Sequence, residues 1–362
     1  ITTLIIFSNS PGEISTWVRS VCEAVHHQNP EVKICVYLLP CQYATGQEHN
    51  VAARFDGVVE VLRPRQTWLH LAQTTIRRLF GHRTPSKDTA ILSLGGDPFY
   101  AKWLAWAIRC PAYLYTEHRY PFAGFKKVFR SFLDGDLMGA SVPDHLPTPG
   151  KSCLFLCGSR PQHFIHWFPI VAQGIAEIKK RQPAFEAEVL ISPFLTENVV
   201  RPLLGRYQSP VFRVRYDADS GSAIAQAKLV VTIPGTNTAQ TMYLRRPMIV
   251  FVPLNRPESM LLDGLPGLIG KVPVFGKAFM HLAVMIVKHK IKFYSKPNRL
   301  QNSPIVPEVV GVITPEIFAQ SVLDLYNDES LLAQMEARLS QIPIPRHSAE
   351  TLWRELRDDM AQ

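Results

Sequence analysis

Several short stretches of this sequence set polar or charged side chains on loose backbone directly after apolar runs. At 233–240, "IPGTNTAQ" follows the run Leu229–Thr232. There Gly235 relaxes the chain, and Thr236, Asn237 and Thr238 supply short polar groups where a helix begins, a pattern suited to cradling an anion on unpaired N–H groups. At 157–164, "CGSRPQHF" places Gly158, Ser159 and Arg160 after another apolar run. Arginine offers a planar fork to a phosphate, and a helix starting near Pro161 adds a partial positive charge. If the two loops follow neighbouring strands, together they specify a diphosphate better than either alone. Each also reads as a plain turn and helix cap without a ligand.

Carboxylates occupy the corresponding places nearer the N-terminus. In "SNSPGEISTW" (8–17), Gly12 permits a sharp turn and Glu13 stands at a helix start, although Ser10 and Glu13 also spell a capping box. The stretch is not GxGxxG, which argues against a dinucleotide. In "LSLGGDPFYAKW" (92–103), Gly95 and Gly96 let the backbone approach a ligand, and Asp97 can act as general base on an acceptor hydroxyl or simply cap the helix at Pro98. "YTEHRYPF" (115–122) adds Glu117 and His118. With no carboxylate pair near these loops, no metal or other cofactor is expected. The six cysteines lack the spacing of a zinc site and read as free thiols of a reducing cytoplasm.

These loops need a scaffold that presents them at strand ends. Leu4–Phe7, Lys33–Leu38, Val58–Val61, Ala90–Leu94 and Ala112–Tyr115 read as buried strands, with helical periodicity over Ile14–His27 and Pro98–Arg109. A Gly-, Pro- and Asp-rich linker at 134–150 follows, and the pattern restarts. Strands are expected at Ser152–Cys157, Glu186–Ile191, Leu229–Thr232 and Met248–Val252, and a helix over His163–Arg181. Thr314-Pro315-Glu316 starts another helix, and Ser348 caps a last one carrying Leu352, Leu356 and Met360 on one face. The fold class is therefore α/β, two doubly wound Rossmann-like domains facing a central cleft. Their expected extents are 1–145 and 146–345, with a helix over 346–362 packing back on the first. Ligands of such sheets bind beyond the carboxyl ends of the strands, where strand order reverses.

The 362 residues, 46% hydrophobic and 19% charged, suit a folded two-domain chain and not a disordered one. The start reads as a core strand and not as a signal peptide. The apolar run considered as a span, Ala278–Val287, is only ten residues between Lys277 and Lys288, well short of the roughly 18–20 a spanning helix needs. A net charge of +9 calls for an anionic partner. Ten Lys or Arg against two acids lie between Arg245 and Arg299, interleaved with leucines and phenylalanines, and "TTIRRLFGHR" (74–83) and "RYPFAGFKKVFR" (119–130) repeat the theme. Basic amphipathic surfaces of this kind suit an anionic leaflet. No nucleic-acid motif accompanies the charge.

In order along the chain, "SPGEISTW", "GGDP", "GDLMGA", "CGSRPQHF", "PGTNTAQ" and "KPNRLQNSPIVPE" resemble the loops of the lipid-A-disaccharide synthase family, inverting glycosyltransferases of GT-B architecture. The resemblance implies a UDP-sugar donor carrying an N-acetylglucosamine or acylated glucosamine unit, a lipid acceptor, and work at the inner face of a membrane. It implies Gly158, Ser159, Arg160 and Gly235–Thr238 on the diphosphate, Gln240 at the ribose, and Asn298 and Glu308 lining the donor side. Asp97, Glu13 and His118 would be catalytic, and Gly12, Gly96 and Glu117 would bind acceptor. This chain departs from the family in having Ile14-Ser15-Thr16 after Glu13, Gln240 for a glutamate, and His163 for the glutamate after Gly-Ser-Arg. A UDP-N-acetylglucosamine 2-epimerase, or a non-catalytic membrane-associated sensor of nucleotide sugar or lipid, is the alternative.

Overall fold

The interior strands are apolar at nearly every position, so both sheet faces must be covered, as in parallel α/β sheets wound by helices on either side. The computed structural model describes residues 1–41, 44–81, 88–116, 123–130, 147–207, 211–216, 220–255 and 292–361. The chain divides into two units, 1–143 with 343–362, and 144–342. Most of the expected linker at 134–150 lies outside the described residues.

Unit 1 contains β1 (Thr3–Ser8), a helical run made of α1 (Pro11–Glu13), a π segment (Ile14–Val18) and α2 (Arg19–Gln28), then β2 (Lys33–Leu38), α3 (Glu48–Ala52) and β3 (Val58–Leu62). It continues with α4 (Pro64–Leu79), β4 (Thr89–Ser93), α5 (Pro98–Ile108), β5 (Ala112–Tyr115) and β6 (Lys127–Phe129). The six strands are all parallel, in the order β3-β2-β1-β4-β5-β6. Ile5, Phe7 and Ile91 on one face meet Leu71 of α4 and Ala101 and Leu104 of α5. By strand alternation the buried Leu4 and Ile6 belong to the other face.

Unit 2 repeats the winding. It runs β7 (Cys153–Leu156), α6 (Pro161–Arg181), β8 (Ala187–Leu190), α7 (Glu197–Tyr207), β9 (Arg213–Arg215), α8 (Ser220–Gln226) and β10 (Leu229–Thr232). Then come α9 (Thr236–Tyr243), β11 (Met248–Pro253), α10 (Lys296–Gln301), β12 (Glu308–Gly311), α11 (Pro315–Tyr326) and α12 (Glu329–Ser340). The order β12-β11-β10-β7-β8-β9 is that of unit 1 read from the other edge. Its core stacks Trp167 of α6, Phe251 of β11 and Phe318 of α11, with ring centroids 4.8 to 5.6 Å apart. Gly174 of α6 lets Phe318 of α11 pack against the helix, for a side chain there would start 2.3 Å from the Phe318 ring.

The last helix, α13 (Ser348–Ala361), belongs to unit 1 and packs on α2. Its first bond runs from the Thr351 N–H to the His347 carbonyl, so Ser348 is the first helical residue and not the expected cap. Leu352 and Leu356 are buried beside Trp353, whose indole N–H donates to Asn29 at 3.1 Å. Asp359 accepts from the Tyr113 hydroxyl at 2.6 Å, and Lys127 pairs with Glu355 at 2.7 Å. The fully buried indole is the main apolar anchor of this helix. Trp353→Ala should cost unit 1 about 3–5 kcal/mol, read as a lowered midpoint in urea unfolding followed by far-UV circular dichroism.

Candidate functional site

In both sheets the winding reverses beside the first strand, so β1 and β4 flank one switch point and β7 and β10 the other. In unit 2, β7 and β10 pair in parallel, Leu229 opposite Cys153 and Val231 opposite Phe155. The loops that leave their carboxyl ends are therefore side by side. Gly158 takes a φ of +87°, and a side chain on it would begin 3.1 Å from Ile233 Cδ1 on the neighbouring loop. Gly235, at φ 152° and ψ −168°, occupies backbone space that is essentially glycine-only, although nothing lies within 4 Å of where its Cβ would be. That residue is there for its backbone.

Arg160 is the N-cap of α6, in extended conformation with Pro161 as the first helical residue. Gly235 is the N-cap of α9, whose first turn is Thr236, Asn237 and Thr238. Two helix starts and a guanidinium-bearing loop thus leave one switch point, with Ser159, Thr236 and Asn237 partly exposed. His163, in the first turn of α6, sits against Gly158. Burial, followed by the positive charges of Arg160 and His166, holds its pKa down at about 4, so the imidazole is neutral at pH 7. The sequence reading noted His163 only as a departure from the family. Its place three residues after an arginine N-cap was the signal available.

Four residues expected on the donor side have hydrogen-bond partners within unit 2. Thr238 is buried, donating to the Gly235 carbonyl at 2.8 Å and accepting from the Lys296 N–H at 3.1 Å, so it ties α9 to α10. Gln240 is buried too, its Oε1 accepting from the Ser220 hydroxyl of α8 at 3.1 Å. Asn298 receives the Ile305 and Val306 N–H groups at 2.7 and 2.9 Å, and donates to the Val306 carbonyl and Glu308, both at 2.8 Å. Glu308 accepts from the Ser295 N–H, the Ser295 hydroxyl and Asn298 on one oxygen and from the Tyr294 N–H on the other, at 2.6 to 3.0 Å. The Asn298–Glu308 motif is an internal clamp, and burial of so many donors explains why it needs a carboxylate.

At the switch point of unit 1, Glu13 completes the capping box with Ser10. Its Oε2 accepts from the Ser8 hydroxyl and the Asn9 and Ser10 N–H groups, each at 3.3 Å. Burial outweighs these bonds and raises its pKa above the usual glutamate value. The ligand that Gly95 was expected to admit is Glu13 itself, since a Cβ at Gly95 would lie 1.9 Å from Oε2. Gly96 turns the chain at φ +72° against Leu39 and Asn9. Asp97 is the exposed N-cap of α5, its Oδ1 accepting from the Phe99 N–H at 2.9 Å. Gly12 makes no sharp turn. It lies inside α1, where its carbonyl takes the Ser15 and Thr16 hydroxyls at 3.1 and 2.7 Å. Glu117 and His118 lie outside the described residues. Among the described residues, no group of three or more His, Cys, Asp or Glu is arranged to hold a metal ion.

No protein-family model matches the sequence, and no curated protein does. Solved structures match over nearly the whole chain. S. aureus MnaA, solved with UDP, has a TM-score of 0.55 at 10% identity, covering 100% of this chain and 97% of its own. The glycotransferase of kitacinnamycin gives 0.51 at 12% identity, covering 98% of each. UDP-GlcNAc 2-epimerase from Neisseria meningitidis, bound to UDP-GlcNAc, gives 0.50 at 13% identity, covering 100% of each. At these identities the likeness defines the fold, which is that of GT-B proteins with two Rossmann-like domains.

The clamp geometry separates stability from ligand binding. Glu308→Ala strands buried donors and should cost about 2–4 kcal/mol, measured by urea unfolding, while UDP affinity of the folded variant stays within about twofold of wild type. Glu13→Gln keeps an acceptor for the same donors without a charge to desolvate. Because the folded pKa of Glu13 is raised, its stabilising influence is complete below the unfolded value and is lost as pH rises through the folded one. Glu13→Gln should therefore unfold at a higher temperature than wild type at pH 7, and the gap should close as pH falls below the unfolded value.

Proposed function

We propose that this chain is an inverting glycosyltransferase that moves a sugar, of the N-acetylglucosamine or acylated glucosamine type, from a UDP-sugar to a membrane lipid, in the manner of lipid-A-disaccharide synthases. The observation that carries the reading is the side-by-side exit of the Gly158–Arg160 and Gly235–Asn237 loops from paired strands at the switch point of unit 2. Charge develops on the diphosphate as it leaves. Arg160 and the opening N–H groups of α6 and α9 stabilise that charge where it appears. Asp97 takes the proton of the acceptor hydroxyl, and Glu13, whose carboxyl is tuned upward, supports the acceptor side. A single displacement from the face opposite UDP inverts the anomeric carbon. Turnover needs no metal and should be undiminished in excess chelator.

A lipid acceptor is supported by the outer surface of unit 1. Helices α4 and α5 pack together and carry no carboxylate. They and the residue after α4 expose Trp68, Leu69, Ile76, Leu79, Phe80, Phe99 and Trp106. Trp103 contacts both Trp68 and Phe99, and the Arg78 guanidinium stacks 4.1 Å over Trp106. Arg63, Arg65, Arg77 and Arg109 are exposed on the same two helices or at their ends. Aromatics embedded among cations suit the headgroup region of an anionic leaflet. Among the described residues no helix is long and apolar enough to cross a membrane, so the proposed association is peripheral, on the cytoplasmic face. The basic stretch at 256–291 lies outside the described residues. The partners are thus a UDP-sugar, a lipid acceptor and the membrane surface, with no nucleic acid.

The epimerase reading draws on the Neisseria structure, which holds UDP-GlcNAc on the same fold. Interconversion of UDP-GlcNAc without any acceptor would favour it over transfer. For the donor site, Arg160→Ala should weaken UDP binding about tenfold or more in calorimetric titration. Binding indifferent to Arg160 would count against both nucleotide readings. Asp97→Asn should keep UDP affinity and lose at least about a hundredfold in transfer rate, assayed with radiolabelled UDP-sugar and membrane lipid extract. Normal rates would remove Asp97 from its role.

A further inference from the structure

His163 occupies the third helical position of α6, from which a glutamate would reach back to the helix start. The point where a Gly158 side chain would begin lies 3.4 Å from His163 Cβ, 3.7 Å from its Nδ1 and 3.1 Å from Ile233 Cδ1. The imidazole is therefore beside the junction of the two loops that leave β7 and β10. The charged or titratable groups bearing on it are Arg160, from the loop before α6, and His166, one turn further along the helix. From the β10 side the neighbour is the apolar Ile233. A glutamate at this position would compete with a bound anion for the helix-start N–H groups, and a neutral imidazole does not.

We propose that His163 is a ligand-coupled proton acceptor, neutral in the free protein and imidazolium in the donor complex, where it sets a second cation beside Arg160 on the diphosphate. The inference rests on the donor reading of unit 2. In the free protein partial burial, followed by the positive charges of Arg160 and His166, keeps the ring neutral. A bound dianion reverses the sign of the local field. An opposite charge within about 4–6 Å moves a pKa by about 1–3, so the complex holds the proton at pH values where the free protein does not. Binding then takes up a proton, and by linkage affinity rises as pH falls through the window between the two values.

The test is calorimetric titration with UDP-GlcNAc, whose diphosphate is esterified at both ends and stays ionised across the range used. Wild type should take up a substantial fraction of a proton near pH 6, read from runs in buffers of different ionisation enthalpy. It should bind about tenfold more tightly near pH 5.5 than near pH 7.5. His163→Gln, shown to be folded by a urea unfolding midpoint close to that of wild type, should lose both the proton uptake and the low-pH gain. His166→Gln should retain them. Tight binding without proton uptake, or uptake that survives His163→Gln, overturns the inference and leaves the donor reading standing. Absence of UDP-GlcNAc binding, or binding indifferent to Arg160→Ala, overturns the donor reading and this inference with it.

Discussion

Parallel pairing of the first and fourth strand of each unit is the constraint on which everything else depends. Hydrogen bonds between β7 and β10 fix where their carboxyl ends stop, and the winding sends the next helices away on opposite sides. A gap bounded by two helix starts is the geometric result. The same pairing of β1 with β4 brings Glu13 under Gly95 in unit 1. One topological device thus yields two different chemical surfaces. A carboxylate raised by burial stands at the first, and an arginine with a neutral imidazole at the second.

A polar atom removed from water must find a partner inside the protein, and Thr238, Gln240, Asn298 and Glu308 each have one or more. Glu308 satisfies both a turn and the start of α10, so the segment from Tyr294 to Glu308 is closed on itself. Ser159, Arg160, Thr236 and Asn237 keep partial exposure, because they sit on the turns and not behind them.

Charge is distributed with the same economy. Acidic groups such as Glu355 and Asp359 of α13 are engaged with Lys127, Lys126 and Tyr113. The outward faces of α4 and α5 keep cations and large apolar side chains without any acid on either helix. A solvated helix face would ordinarily mix both signs of charge and avoid tryptophan, so this surface departs from the rest of unit 1 in the direction that favours an anionic apolar boundary.

Interior strands and their order along the chain were legible in the sequence. Lys33–Leu38, Ala112–Tyr115 and Leu229–Thr232 carry apolar, β-branched or aromatic runs that only a doubly covered sheet accepts. The edge strands β6, β9 and β12 were not read as strands, since they are three or four residues long and carry lysine, arginine or glutamate in place of an unbroken apolar run. Glycine and arginine after a strand also marked the loops of unit 2 correctly by position. What the sequence could not contain was depth: whether Gly95 faces a ligand or Glu13, and whether Glu308 faces a pocket or four internal donors. Those answers depend on contacts between residues far apart in the chain, which exist only once β1 has paired with β4 and β11 with β12.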